Sequence, residues 1–336
     1  MKRPPSMLDV ARAAGVSHTT VARVVNGAGT VTARTEAKVL AAIGQLHYRR
    51  NAAARALVTR QTQTIGVILA NSLLSGPSSM FVEIERKARD LGYWVSVASL
   101  AVASSEEIDA AINHFRDQGV DAMVVMAPTK ESLKATLAGI DETPCVVVTS
   151  GRVDQPGAVA LNFDQEAGAK MAMAHLLDHG HRSIAHLAGP LDEFDAQIRM
   201  AVWRKSLAKA GLPEGPLGVG NWLADLGYSE ARRILEAPDR PTAIFGGSDQ
   251  MALGALRAAF DLGIKVPQDL SVIGFDDMPG SGQLIPPLTT VRQDLTLMGE
   301  TTLGALTGLI EGEAVTVAQV KPSLVVRASV APARRP

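Results

Sequence analysis

Two groups of residues in this 336-residue chain have types and spacing suited to recognition chemistry. The first lies near the N-terminus. His18, Thr19, Arg23 and Asn26 fall on one face of a helical pattern whose opposite face is Val21, Val24 and Val25. A guanidinium on such a face can hold guanine O6 and N7 with two bonds, and donors in the first turn, just after the capping Ser17, can reach neighbouring base edges. An ordinary solvated face would look the same, so charge has to separate the two readings. Residues 1–60 carry ten Lys/Arg against Asp9 and Glu36, net +8, whereas the remainder is net −9. A basic head on an acidic body points to a polyanion bound by the head alone.

The second group is Arg199, Trp222, Asp249, Asp276 and Gln293, which follow or flank the ends of short apolar runs in the second half of the chain. A saccharide presents C–H faces and paired hydroxyls, so its site needs an aromatic plate beside planar, bidentate polar groups. Each residue also has a plainer reading: Trp222 as core, Arg199 as a helix-surface charge, Asp249 as the cap of a helix running to Phe260. Bond-making chemistry finds less support. The chain has no P-loop, no G-x-G-x-x-G after the first strand, no G-x-S-x-G and no H-E-x-x-H, so neither an enzyme nor a cofactor is expected. His175 and His179 share the i, i+4 spacing of two metal ligands, but no carboxylate or cysteine completes a set with them at characteristic spacing, and no metal is expected. The single cysteine, Cys145, sits in an apolar run and reads as a buried, inert thiol.

The elements that must position these residues are of two kinds. Residues 1–50 show three short helical patterns: Met7 to Ala14 behind a Ser6-x-x-Asp9 capping box, a second helix through about Asn26, and a third from Thr32 to near His47. This is a helix-turn-helix head. Residues 51–63 hold a stretch too short to keep a helix alone, a linker or a hinge helix ordered by a partner. From residue 64, apolar runs (64–69, 94–98, 122–127, 145–149, 183–188, 243–246, 270–275) alternate with amphipathic segments, the rhythm of βα units around parallel sheets. Candidate helices end in Asp90-Leu91-Gly92, Asp117-Gln118-Gly119, Asp178-His179-Gly180 and Asp261-Leu262-Gly263, where glycine supplies the left-handed stop. An α/β body of two doubly wound lobes is expected, residues 64–162 with 292–322 and residues 163–291 with 323–332. The ligand cleft belongs at the strand ends between them. With 46% hydrophobic residues the body can bury such cores, and no signal-like or membrane-spanning apolar run is evident.

Leu8-Asp9-Val10-Ala11, Ala14-Gly15-Val16-Ser17, Thr20 to Asn26, Asn51-x-x-Ala54-Arg55-x-Leu57, Ser248-Asp249-Gln250-Met251-Ala252 and Ile285-Pro286-Pro287-Leu288 together resemble the lactose repressor family of transcription regulators. The lone cysteine fits a reducing cytoplasm, and the resemblance implies a homodimer on a near-palindromic operator in double-stranded DNA, with a periplasmic-binding-protein-like body that takes a small-molecule effector, a sugar in the lactose-type subgroup. It places Ser17, His18, Thr19, Arg23 and Asn26 at the DNA, with Asn51, Ala54, Arg55 and Leu57 in a minor-groove hinge whose leucine is an apolar wedge. It places Arg199, Trp222, Ser248, Asp249, Asp276 and Gln293 at the effector. The chain departs from the pattern at Val102, Met126 and Gly151, which are apolar or bare where polar groups would be expected. Two other readings stay open: a corepressor-type regulator of a non-sugar metabolite, and a sugar-binding protein without a regulatory role.

Overall fold

A computed structural model of the chain describes residues 5–26, 31–49, 61–70, 75–101, 103–316 and 319–333. It divides into two compact units, Met1–Thr62 and Gln63–Pro336. The described residues of the first form three helices and no strand: α1 (Met7–Ala14), α2 (His18–Asn26) and α3 (Ala33–Leu46). The expected capping box is present, with Ser6 accepting from the Asp9 N–H at 3.4 Å and Asp9 accepting from the Ser6 N–H at 2.8 Å. Gly15 closes α1 at φ 66°, and Thr32 caps α3. Both ends of the turn are thus satisfied locally, which lets a small core of Val10, Ala11, Ala14, Val21, Val39 and Ala42 hold the three helices together.

The second unit carries two parallel sheets. The first contains β1 (Thr64–Ala70), β2 (Trp94–Leu100), β3 (Ala122–Met126), β4 (Cys145–Val148) and β5 (Ala158–Leu161), in the order β2-β1-β3-β4-β5. The intervening helices are α4 (Ser75–Asp90), α5 (Ser105–Gln118) and α6 (Lys130–Gly139). The second sheet orders β7 (Leu217–Val219), β6 (Ile184–Ala188), β8 (Ala243–Gly246) and β9 (Ser271–Ile273), with α7 (Gln165–Asp178), α8 (Phe194–Lys209), α9 (Ala224–Leu235) and α10 (Asp249–Asp261). A β10 (Thr290–Arg292) and β11 (Ser323–Val325) ribbon joins the lobes, and α11 (Leu295–Ile310) returns to pack on α4 and the first sheet.

The inner strands of each sheet are buried on both faces, which is why they read as continuous apolar runs instead of alternating ones, whereas Trp94 and Val97 on the edge strand β2 are exposed. Val67, Val124 and Val146 enter one core of the first lobe, while Ile68, Val125 and Val147 enter the other. Gly92, Gly119, Gly180 and Gly263 all have positive φ, as helix stops in left-handed conformation. β5 and β7 escape the apolar-run reading because they are short edge strands of four and three residues. Among the described residues, no helix is long and apolar enough to cross a membrane.

In the second lobe, α9 and α10 cross with backbones almost touching. A Cβ on Gly254 would lie 2.3 Å from the Ala224 carbonyl oxygen and 2.4 Å from the Tyr228 nitrogen, and backbone cannot yield as a side chain can. Gly254→Ala should therefore destabilise the protein by about 1–3 kcal/mol in urea unfolding, the scale of overpacking. Gly304→Ala on α11, where an added Cβ meets nothing within 4 Å, should be neutral or stabilising.

Candidate functional site

In the head, Ser17, His18, Thr19 and Arg23 are exposed while Val21 is fully buried, so α2 turns its donors outward. The Ser17 hydroxyl accepts from the Thr20 N–H at 3.1 Å and fixes the start of the helix. The Asn26 side chain lies outside the described residues, as do Asn51, Ala54, Arg55, Leu57 and Val102.

In the body, a cleft of about 200 Å³ lies between the lobes at the carboxyl ends of their strands. That is where a doubly wound fold leaves backbone ends and loops free to meet a ligand. Arg199, Trp222, Ser248, Asp276 and Gln293 all line it. Arg199 is not a surface charge; it is 4% exposed, projects from α8 beneath the strand ends and is surrounded by compensating groups. Its Nε donates to Gln165 Oε1 at 3.0 Å, its Nη1 donates to the Gly247 carbonyl, and Asp276 Oδ1 stands 3.8 Å from Nη1. The guanidinium also lies 3.7 Å from the Phe275 ring centre and 5.2 Å from that of Trp222. A charge so far from water needs this many partners, since desolvation otherwise costs several kcal/mol.

Trp222 donates its indole N–H to Glu193 Oε2 at 2.8 Å and lies flat over Gly189, where an added Cβ would come within 2.4 Å of the ring. Trp222 and Asp276 both sit at positive φ, 70° and 112°. Their left-handed backbones are held by neighbours: Asp276 N–H donates to the Val291 carbonyl at 2.7 Å, and Asp277 is clamped by Arg292 and Arg327 at 2.7 Å each. Strain of about 1–3 kcal/mol persists only where surroundings over-determine the conformation, as they do here. Gln293 presents a buried Nε2 with no hydrogen-bond partner among the described residues.

The placement of Asp249 at the ligand is corrected. It is fully buried outside the cleft lining, and its carboxylate is occupied by the hydroxyls of Ser281 and Thr290 and by the Met278 N–H. Nor does Asp249 cap α10; Ser248 does, accepting from the Met251 N–H at 3.1 Å and donating to the Trp222 carbonyl at 3.0 Å. Asp249 braces the loop that carries Asp276. Among the cleft residues that sequence reasoning missed are Gln165, Glu193 and Asp195. Their signal was position: Glu193 and Asp195 follow the strand end Ala188-Gly189-Pro190, and Gln165 opens the helix after β5. His175 and His179 do lie in ring contact, 4.3 Å between centres, but among the described residues no cluster of three metal-ligating side chains occurs. Burial pushes the Cys145 thiol up to about 12, consistent with an inert packing role.

Residues 6–51 match the model for bacterial regulatory proteins of the lacI family, and residues 173–330 match that for a periplasmic binding protein-like domain. The chain is 36% identical over 326 residues to the lactose operon repressor of Escherichia coli (strain K12), covering 97% of this chain and 90% of that protein. The chain belongs to the LacI family. It is similarly 34% identical to the HTH-type transcriptional repressor PurR of Escherichia coli O139:H28, over 96% of each protein. The solved structure of the lac repressor dimer bound to operator and the anti-inducer ONPF superposes with a TM-score of 0.90 at 34% identity, over 98% of this chain and all of that one. This LacI-family protein is thus a DNA-binding transcriptional repressor and not an enzyme, with a helix-turn-helix head and a two-lobed α/β body.

Burial pushes the Asp276 carboxyl from 3.8 up to about 7, helped by the nearby charges of Asp249 and Asp195 and opposed by Arg199. A carboxyl whose folded value is raised stabilises the fold fully below its unfolded value, and that contribution is lost as pH rises through the folded value. Relative to Asp276→Asn, the ligand-free parent should therefore lose stability at up to about 1.4 kcal/mol per pH unit from about pH 4 to pH 7, then level off. Parallel urea titrations across this range would show it, and a pH-independent difference would mean that Asp276 ionises as a solvated carboxylate does.

Proposed function

We propose that this repressor works as a cytoplasmic homodimer on a near-palindromic operator. Its effector is a small neutral carbohydrate, of galactoside or glucoside type, which binds between the lobes and releases the DNA. The observation that carries the ligand class is Gln293. A buried amide donor without a partner is costly, about 1–3 kcal/mol, and a hydroxyl in the cleft would remove that cost. Beside it stand an acceptor, Asp276, and an aromatic plate, Trp222, the combination that a sugar ring requires.

Charge argues for neutrality. The one guanidinium among the described lining residues is already committed to Gln165, Gly247 and Asp276, whereas Glu193 and Asp195 supply carboxylates. A phosphorylated or carboxylated metabolite would face repulsion there. Kinship alone does not choose the ligand, because PurR is nearly as similar as the lactose operon repressor. The alternative, a corepressor-type regulator of a non-sugar metabolite, makes a different demand on the cleft: a flat nitrogen heterocycle offers lone-pair ring nitrogens that could accept from Gln293, but no paired hydroxyls to donate to Asp276. Homodimer formation is supported by the dimer named for the similar solved structure and by exposed apolar residues on edge strand β2, Trp94 and Val97.

At the DNA we assign base reading to His18, Thr19 and Arg23, helix positioning to Ser17, and further contacts to Asn26 and the hinge residues Asn51, Ala54, Arg55 and Leu57. Arg23 is exposed opposite buried Val21, so Arg23→Ala should leave folding intact. Operator binding should weaken by about 1–3 kcal/mol, with relaxed preference at one base pair per half-site. Titration against operator variants measures both quantities; unchanged selectivity would remove Arg23 from the reading surface.

Asp276→Asn keeps shape but loses charge-assisted acceptance, so sugar affinity should fall roughly ten- to more than a hundredfold while operator binding survives. The variant should hold its operator at inducer concentrations that release the parent, because a ligand that no longer prefers one form cannot shift the equilibrium. Calorimetry with galactosides and glucosides, paired with operator binding, decides this. A parent that ignores every sugar but responds to a purine or a phosphorylated metabolite would sink the saccharide reading.

A further inference from the structure

Near residues 162, 292 and 322 the chain itself passes between the lobes. At residues 193–195, the start of α8, the lobes meet without a covalent link. The Phe194 N–H donates to the Pro128 carbonyl at 2.9 Å, and Glu193 pairs with Thr129 in an isolated antiparallel bridge. Ser150 Oγ, beyond β4, donates to Asp195 Oδ1 at 2.6 Å. The Phe194 ring leaves its own lobe and, partly buried, packs against a core of the first lobe. It lies over Gly151, where a Cβ would stand 2.9 Å from the ring and 2.4 Å from Leu133. The bare residue at 151 is thereby explained: any side chain there would evict the ring.

The two residues flanking Phe194 face the cleft instead, and each holds one ligand-facing group. Glu193 accepts from the Trp222 indole at 2.8 Å. Asp195 accepts from Gln165 Nε2 at 2.7 Å, and Gln165 in turn accepts from Arg199 at 3.0 Å. Phe194 itself does not line the cleft. We infer that Phe194 is a positioning residue, a plug that holds the two lobes in this arrangement and that is wired through Glu193 and Asp195 to the cleft side chains Trp222 and Arg199. The physical basis is continuity: three successive residues span a short, rigid helix start, so Trp222 or Arg199 cannot move far without moving the plug. A packed aromatic seated over glycine has one seat and no graded alternative, which suits an element with two discrete positions.

The test needs no effector. Nitroxide labels at the exposed positions Lys134→Cys and Lys209→Cys, one in each lobe, report the interlobe distance by pulsed electron resonance; Cys145 is buried and stays unlabelled. Phe194→Ala should broaden the distribution and shift it to longer distance by more than about 2 Å, the scale of hinge rearrangements, whereas Phe194→Leu should retain the parent distribution. Trp222→Phe, which deletes the indole N–H held by Glu193, should broaden it as well. A purely structural role would lower the melting temperature of Phe194→Ala and leave the distances as in the parent, and that result overturns the plug. An unaltered distribution in Trp222→Phe overturns the wiring to the cleft. Should Phe194→Ala fail to fold, hydrogen exchange in the parent still decides. The Phe194 amide should be protected well beyond exposed loop amides such as that of Arg152, and equal exchange rates would refute the engaged plug.

Discussion

The buried guanidinium of Arg199 is the constraint around which the second lobe and its cleft are arranged. At 4% exposure it cannot rely on water, so the protein must surround it with acceptors and aromatic faces. Those acceptors come from four places: Gln165 at the start of α7, the Gly247 carbonyl after β8, Asp276 after β9, and the rings of Phe275 and Trp222. Satisfying one cation therefore brings four strand ends into register. The groups that satisfy it are also the groups that face the cleft.

This economy has a cost in backbone conformation. Trp222 and Asp276 reach their places only by adopting positive φ. The strain is contained by interactions that have no contact with a ligand: the Arg292–Asp277–Arg327 ion pairs, and the Asp249 carboxylate that ties the Met278 N–H to Ser281 and Thr290. Asp249 itself is pushed up to about 6 by burial, offset by these hydrogen bonds. A carboxylate that looked like a ligand contact is thus part of the scaffold that presents its neighbour.

The two halves of the cleft differ in chemistry. The second lobe supplies the charged groups and Gln165, whereas the first lobe supplies the amides Asn162 and Gln293 beside the apolar Ala70, Met80, Met126 and Val148, with Thr149 engaged by the Gly151 N–H and Ser150 engaged by Asp195. Lobe contact and ligand contact consequently share side chains. On the mechanism proposed above, such sharing would allow a binding free energy in the cleft to appear as a change at a distant site.

Local chemistry was legible in the sequence. The helix limits of the head, the glycine stops, the two-sided burial of the strands and the exposure of Arg23 all follow from periodicity, capping residues and charge, which act over a few neighbouring residues. Position at strand ends was also enough to single out Arg199, Trp222, Asp276 and Gln293. What the sequence left open was direction. Nothing local distinguishes Asp249 from Asp276, yet one turns into a cage of hydroxyls and the other into the cleft. Nothing local shows that Glu193 and Asp195 turn into the cleft, or that Gly151 is bare to admit Phe194 from the other lobe. Those outcomes were decided by tertiary structure, because each depends on atoms dozens of residues away competing for the same buried space and the same few hydrogen bonds.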